Sequence, residues 1–168
     1  MALTPGHIKW LKSSGAGREF ARVLSHLPHV DAKDSDGSTA LMILAFDAEV
    51  EKTRQLLESG ADPNLTDDEG GFALLNAVIA YQIFGNANGP KVAVDLLRHG
   101  AVTDLRGPEH AFNVKAMMSL AMGWLADAPV RVGDRCVLQG IKSDPGLNGE
   151  LVEVLAPLDA SSGRCAVK

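Results

Sequence analysis

Apolar side chains in the segment 34–64 recur at the spacing of two short helices. In the first, Leu41, Leu44 and Ala45 share a side, because residues three and four positions apart lie on one face of an α-helix. The second, over 48–59, has an equivalent face made of Val50, Thr53, Leu56 and Leu57. One such hairpin buries too little apolar surface alone, so the pattern predicts neighbouring hairpins stacked against it.

Residues that favour turns and helix ends bound the two helices. The sequence Asp34-Ser35-Asp36-Gly37 is typical of a turn, and Ser38 or Thr39 can cap the helix that follows. Gly60 is placed to end the second helix with a left-handed backbone, and Asp62-Pro63-Asn64 cannot extend that helix. The segment is therefore predicted to be one closed unit: a turn, a helix, a tight connection and a second helix.

The same unit returns later in the chain with an insertion. DSDGSTAL (34–41) aligns with DDEGGFAL (67–74) at an offset of 33, whereas LLESGADPN (56–64) aligns with LLRHGAVTD (96–104) at an offset of 40. The second unit thus has about seven additional residues between its helices, supplied by YQIFGNANGP (81–90). Repetition near 33 residues is typical of stacked helical repeats.

This arrangement resembles the ankyrin repeat. The likeness rests on the opening D-x-x-G-x-T-x-L, the paired leucines and the closing G-A-D-x-N of the first unit. The family's T-P-L-H signature is Thr39-Ala40-Leu41-Met42 here and Phe72-Ala73-Leu74-Leu75 in the second unit, so its proline and histidine are missing. The resemblance covers about residues 15–126 and implies a mainly α, ankyrin-type helical-repeat solenoid.

Under this interpretation residues 1–126 form the array. Its parts are an N-terminal cap (5–33, with a first helix over 7–12), a repeat (34–66), a repeat with the insertion (67–106) and a closing helix (112–126).

The composition changes at residue 128. The stretches VRVGDRCVLQG and ELVEVLA alternate apolar and polar positions and are separated by turn residues, which predicts short antiparallel strands over 128–168. This segment resembles a small Src-homology-3-like or KOW-like barrel through Gly133, Arg135, Gly140, Leu147, Asn148 and Gly149. Because the sequence stops at Lys168 inside a predicted strand, two explanations stay open: it is a fragment, or the small β domain is incomplete and a partner strand completes it.

Composition and charge narrow the function. The net charge of −5 argues against a general binder of nucleic-acid phosphates, which would need clustered Lys and Arg. The two cysteines, Cys136 and Cys165, form no C-x-x-C pair, and a reducing compartment is expected. No secretory signal and no run of 18 apolar residues is present, which predicts an intracellular protein of cytoplasm or nucleus, or of an organelle if a transit peptide was removed.

No residue pattern indicates catalysis, a cofactor or a metal. His26 and His29 lie three positions apart near Asp31, but a polar helix end explains them better than a metal site. No phosphate-binding glycine loop is present, and Cys136 fits a small apolar strand residue better than a nucleophile. The acidic turn 67–69 is either a solvated turn or a contact for a basic partner. The chain is therefore predicted not to be an enzyme.

The resemblance implies a protein–protein interaction adaptor that binds another protein. Contact positions carried over from the family are Ser35, Asp36, Ser38, Met42, Phe46 and Asp47 in the first unit, and Asp68, Glu69, Gly71, Leu75, Ile79 and Ala80 in the second. The insertion either extends a helix and fills local core or forms a contact patch with Tyr81, Ile83 and Phe84. Two other functions stay open: a structural subunit permanently docked in a larger complex, and a tail that binds a peptide or nucleic acid.

Overall fold

The computed structural model describes residues 2–103, 114–128, 135–137 and 151–153. Contacts within the chain divide it into two compact units, Met1–Asp127 and Ala128–Lys168. The described part of the first unit contains seven helices: α1 (Pro5–Ser13), α2 (Arg18–Ser25), α3 (Ala40–Phe46), α4 (Val50–Glu58), α5 (Ala73–Gln82), α6 (Gly89–Arg98) and α7 (Val114–Asp127).

In the second unit, β1 (Arg135–Val137) and β2 (Leu151–Glu153) form an antiparallel pair in which Cys136 lies opposite Val152. The other predicted strands of the tail, and Cys165, lie outside the described residues. The small β domain and its barrel-like form therefore stay predictions.

The helices of the first unit alternate between two layers. α1, α3, α5 and α7 pack on one another in that order and are called the inner layer here, while α2, α4 and α6 form the outer layer. Within the repeats, α3 packs on α4 and α5 packs on α6. These pairs are the helical hairpins that the apolar spacing predicts, and their order confirms a mainly α stack of hairpins.

Asp34 and Asp67 organise the turns before α3 and α5 in the same way. Oδ1 of Asp34 accepts hydrogen bonds from the backbone N–H groups two and four residues later, at 3.0 and 2.9 Å. Oδ1 of Asp67 does the same at 3.0 and 2.6 Å. The two turns also touch, because the N–H of Asp68 donates to the carbonyl oxygen of Asp36 at 3.2 Å. Of the two predicted caps, Thr39 is the one used: its Oγ1 accepts from the N–H of Met42.

The backbone is left-handed just after α3, α4 and α6. Ala48, Gly60 and Gly100 have φ angles of 53°, 86° and 90°, and in each case the next N–H donates to the carbonyl oxygen five residues earlier at 3.0 Å. The predicted end of α4 at Gly60 is confirmed. The predicted start of α4 at Ala48 is two residues early, because Ala48 still belongs to the closing turn of α3.

The core of the first unit lies between the two helix layers. Leu41, Leu44 and Ala45 are at most 1% exposed, and Leu56 and Thr53 are fully buried, so the predicted faces of both helices are confirmed. The low aromatic content leaves most of the core to aliphatic side chains. The largest fully buried side chains are Phe20, Phe72, Leu11, Leu41, Met42, Leu44, Leu56, Leu74, Leu75, Leu96, Val78 and Val92.

Candidate partner-binding surface

The residues predicted to contact a partner fall into three groups in the structure. Exposed residues are Ser35, Asp36, Asp68 and Glu69 at the turns, together with Phe46, Tyr81 and Phe84 at the opposite ends of α3 and α5. Ser38, Asp47 and Ile79 are half-buried. Met42, Gly71, Leu75 and Ala80 are buried.

The buried group offers almost no side-chain surface to a partner, although Met42 forms part of the floor of a shallow cleft. Met42 and Leu75 are both 1% exposed because neighbouring inner helices approach closely: Nδ2 of Asn76 on α5 donates to the carbonyl oxygen of Met42 on α3 at 3.1 Å. Gly71 lies against the carboxylate of Asp67, 2.5 Å from the position that a β-carbon would occupy. These positions therefore fix the packing of the array.

The insertion is divided between the helices and the loop of the second unit. α5 has 10 residues where α3 has 7, and α6 has 10 where α4 has 9. The remaining additional residues lengthen the connection, which is 47–49 in the first unit and 83–88 in the second. The predicted extension of a helix is therefore found in α5, which is about one turn longer than α3. The loop places Ile83 and Phe84 in solvent, and the contact patch stays a prediction.

Aromatic side chains from three inner helices meet at this end of the array. The rings of Phe46 and Phe84 contact edge to face with centroids 5.3 Å apart, and those of Tyr81 and Trp124 do so at 5.2 Å. Phe46, Tyr81, Ile83 and Phe84 are 42%, 40%, 58% and 64% exposed, and Trp124 is half-buried. These five residues are called the loop-end patch below.

Asn86 holds the loop in place. Its N–H donates to the carbonyl oxygen of Ala80, its carbonyl accepts from the N–H of Gly89, and its Oδ1 accepts from the N–H of Asn88. Its Nδ2 donates to the carbonyl oxygen of Asp47 in the preceding unit at 3.4 Å. The loop is therefore anchored to both repeats. The sequence shows turn-forming residues here but gives no sign that one amide side chain links the two connections.

Gly89 allows the loop to close against α5. A β-carbon at this position would lie 2.6 Å from the carbonyl oxygen of Ala77 and 2.8 Å from Cβ of Tyr81. A larger residue would push α6 away from the helix that carries Tyr81.

A shallow cleft joins the loop-end patch to the turns. It has a volume of about 200 Å³ and is lined by Lys12, Ser38, Met42, Ile43, Phe46 and Asn76. Nζ of Lys12 and Oδ2 of Asp47 form an ion pair of 2.9 Å between α1 and the end of α3. The inner layer thus presents one continuous surface, polar at the turns and aromatic at the loop end.

Other features of the described residues fit structural roles. Among them, no cluster of three or more His, Cys, Asp or Glu is arranged to hold a metal ion. Nδ1 of His26 lies 2.7 Å from the carbonyl oxygen of Arg22, and Nδ1 of His29 accepts from the N–H of Asp31, as expected of polar helix ends. None of the described helices combines the length and apolar character that a membrane span needs.

The fold is similar to that of a solved structure, an ankyrin repeat domain from Acinetobacter baumannii AYE. The TM-score is 0.55 and the sequence identity 22%, and the match covers 73% of this chain and 64% of the other. This chain therefore spans less than two thirds of that domain. No family model matches the sequence, and no curated protein matches it. At this identity the likeness shows the fold: the ankyrin-type array is confirmed.

Proposed function

We propose that this chain is a non-catalytic adaptor that binds another protein through the inner layer of its array, with the loop-end patch as the main contact. Ankyrin-repeat domains are generally protein–protein interaction modules and are typically non-catalytic. The adaptor role and the position of the contact are our inference.

The exposure of the loop-end patch supports this proposal most directly. Monomeric proteins rarely leave several large apolar side chains adjacent in solvent, and such patches mark interaction sites. Here Phe84 and Phe46 contact each other while 64% and 42% exposed, so the pair is not covered by the array itself. The insertion supplies Phe84, and folding does not require a loop of this length, since the first unit connects its helices through residues 47–49.

The turn residues are a second, weaker part of the proposed surface. Ser35, Asp36, Asp68 and Glu69 are exposed at the turns, and Ser38 of the first turn lines the cleft. Their side chains are short and polar, so they suit selection of a partner by hydrogen bonds and charge more than a large gain in affinity.

A comparative affinity capture tests the proposal. The intact chain, the double variant F46S/F84S and the control variant W10S are immobilised at equal density, and captured proteins are quantified. Trp10 is a suitable control because it is an exposed aromatic residue (52%) whose ring contacts His26 of the cap and lines neither the cleft nor the loop-end patch. We expect at least one protein to be captured by the intact chain and by W10S but not by F46S/F84S.

Two results would contradict the proposal. One is equal capture by the intact chain and F46S/F84S with both variants folded. The other is a chain that is insoluble unless co-expressed with neighbours, which would favour the structural-subunit hypothesis instead.

A further inference from the structure

The loop-end patch lies where three helices of the inner layer end. Phe46 is the last residue of α3, Tyr81 is the last but one of α5, and Trp124 lies in the last turn of α7. Carbonyl groups at the C-terminus of a helix have no partner within it and give that end a partial negative charge. The exposed rings therefore lie beside the negative ends of three helices.

These three helix ends have no positive residue of their own. The last turns of α3, α5 and α7 contain no Lys, Arg or His, whereas those of α1, α2 and α6 contain Lys12, Arg22 and Arg98. α4 also lacks one, so the absence alone does not distinguish the patch. The distinguishing feature is that three such ends meet beside aromatic side chains that face solvent.

Among the described residues, no charged side chain near the patch offsets the partial negative charge of these helix ends. Asp47 is compensated by Lys12 at 2.9 Å, and the loop 83–88 contains no charged residue. Lys91 lies on α6 beyond the loop, and its Nζ donates to Oδ1 of Asn88 at 3.3 Å. Asp127 is exposed at the end of α7 and adds negative charge. The chain as a whole carries a net charge of −5.

The aromatic rings of the patch also favour a positively charged partner. The face of an aromatic ring carries partial negative charge and attracts cations, arginine most often among protein side chains. A guanidinium group is planar and weakly hydrated, so it can stack on a ring while its charge interacts with the helix dipoles. Most last-turn carbonyl oxygens of α3 and α5 already accept hydrogen bonds from the connections that follow, so the expected gain from a cation is its interaction with the rings and the helix dipoles.

We propose that the loop-end patch binds an arginine-containing segment of the partner, in which the guanidinium group packs on the rings and adjacent apolar side chains cover Ile83 and Phe84. This inference rests on the proposed function and specifies the chemistry of the partner. An acidic segment is disfavoured here because it would face negative helix ends.

Selection of binding peptides from a random library tests the inference. A phage-displayed library of dodecapeptides is selected on the intact chain. Enriched peptides are then synthesised with a fluorescent label and measured by anisotropy against the intact chain, F84A, F46A and the control W10A. Phe84 is exposed, so F84A is expected to keep the unfolding midpoint of the intact chain.

We expect peptides that depend on Phe84 to contain arginine beside a large apolar residue. Replacing that arginine with glutamine should weaken binding about tenfold, in the range of a partly desolvated cation–π contact. Replacing it with lysine should weaken binding less, and added salt should weaken binding of the arginine peptide more than that of the glutamine peptide.

The outcomes separate this inference from the proposed function. Peptides that depend on Phe84 but contain no cationic residue, or that bind equally well after the change to glutamine, overturn the arginine inference and leave the proposed surface standing. A selection in which no enriched peptide is weakened by F84A or F46A, or in which W10A weakens binding equally, overturns both.

Discussion

The two repeats of this array share their turns and differ at their loop ends. Residues 34–66 and 67–103 use the same aspartate-centred turn, and their first helices begin at equivalent positions, Ala40 and Ala73. In the first repeat the helices are joined by a tight connection around Ala48, and in the second by an anchored loop with exposed aromatic residues. Variation at the loop end leaves the stacking of the array intact, because stacking depends on the helix faces and the turns.

The outer helices likewise keep the position of one contact while the residue at that position differs. Gln55 and Asp95 occupy equivalent positions in α4 and α6, one residue before the first leucine of each pair. Gln55 exchanges two hydrogen bonds with the backbone of Gly17, at 2.8 and 3.1 Å. Asp95, buried at 1% exposure, accepts from Arg54 at 2.7 and 3.2 Å. Each repeat therefore contacts the preceding one from the same position, with a neutral amide in one case and an ion pair in the other.

The largest losses of stability are expected from substitutions of the paired leucines. Leu56→Ala should lower the free energy of unfolding by about 2–5 kcal/mol, since Leu56 is fully buried and its loss leaves a cavity. Leu57→Ala, at 6% exposure, should fall at the lower end of that range. Urea denaturation followed by circular dichroism measures both. A larger loss for Leu57→Ala than for Leu56→Ala would mean that the faces of α4 are assigned the wrong way round.

The next largest loss of stability is expected at the Arg54–Asp95 ion pair, and it should exceed the loss at the contact between Gln55 and Gly17. Arg54→Ala should cost about 3 kcal/mol, because it removes the guanidinium partner of a buried carboxylate, although Asp95 keeps other interactions. Gln55→Ala should cost about 1 kcal/mol, as expected for neutral hydrogen bonds at an exposed site. Equal losses in urea denaturation would show that burial of Asp95 does not strengthen this interface.

This ion pair should not make stability depend on the protonation of Arg54 near neutral pH. The hydrogen bond that Arg54 donates to Asp95, followed by the charges of Asp95 and Glu51, raises the pKa of Arg54 above its ordinary value, against the opposing effect of burial. A base with a raised pKa in the folded state stabilises fully below its unfolded pKa and loses that contribution only as pH rises through the folded pKa. For arginine that window lies in strong alkali.

The helices of the array, their buried faces and their stacking could be predicted from the sequence, because each of these depends on local spacing and turn residues. These features can be predicted from the apolar spacing of Leu41, Leu44 and Leu56 together with the aspartate turns. The sequence did not predict the burial of Met42 and Leu75, since burial there depends on how closely neighbouring helices approach.

The loop-end patch could be predicted from the sequence only in part. The sequence locates the insertion with Tyr81 and Phe84, but Phe46 and Trp124 join the patch only through folding. Phe46 at the end of α3 contacts Phe84 in the loop, and Trp124 in α7 contacts Tyr81 in α5. The two residues of each pair lie far apart along the chain, and no local pattern links them. The role of Asn86 is hidden from the sequence for the same reason.

Replacing the loop is expected to change stability little. Substituting residues 81–90 by a short connection that copies residues 46–48 should change the free energy of unfolding by within about 1 kcal/mol, because closure entropy varies slowly with loop length. The left-handed backbone at Ala48 indicates that the new connection should carry glycine at that position. Binding of the partner should weaken, as measured by affinity capture. A variant that unfolds outright, or one that binds as well as the intact chain, would contradict this prediction.

The smallest expected effect concerns the tight connection itself. Ala48 has a φ of 53°, a conformation that costs an alanine about 1–2 kcal/mol because Cβ approaches the following carbonyl oxygen. Ala48→Gly removes this strain but increases the backbone entropy of the unfolded chain by an amount worth about 0.5–1 kcal/mol. Ala48 is also buried at 3% exposure, so a methyl contact is lost. The net change should be a stabilisation of about 0.5 kcal/mol or less.

The matched change Gly60→Ala, where the φ is 86° in an otherwise similar helix end, should destabilise the chain by about 1 kcal/mol. If Ala48→Gly instead destabilises the protein as much as Gly60→Ala does, packing of the Ala48 methyl group outweighs the backbone strain, and the first connection is set by side-chain contact.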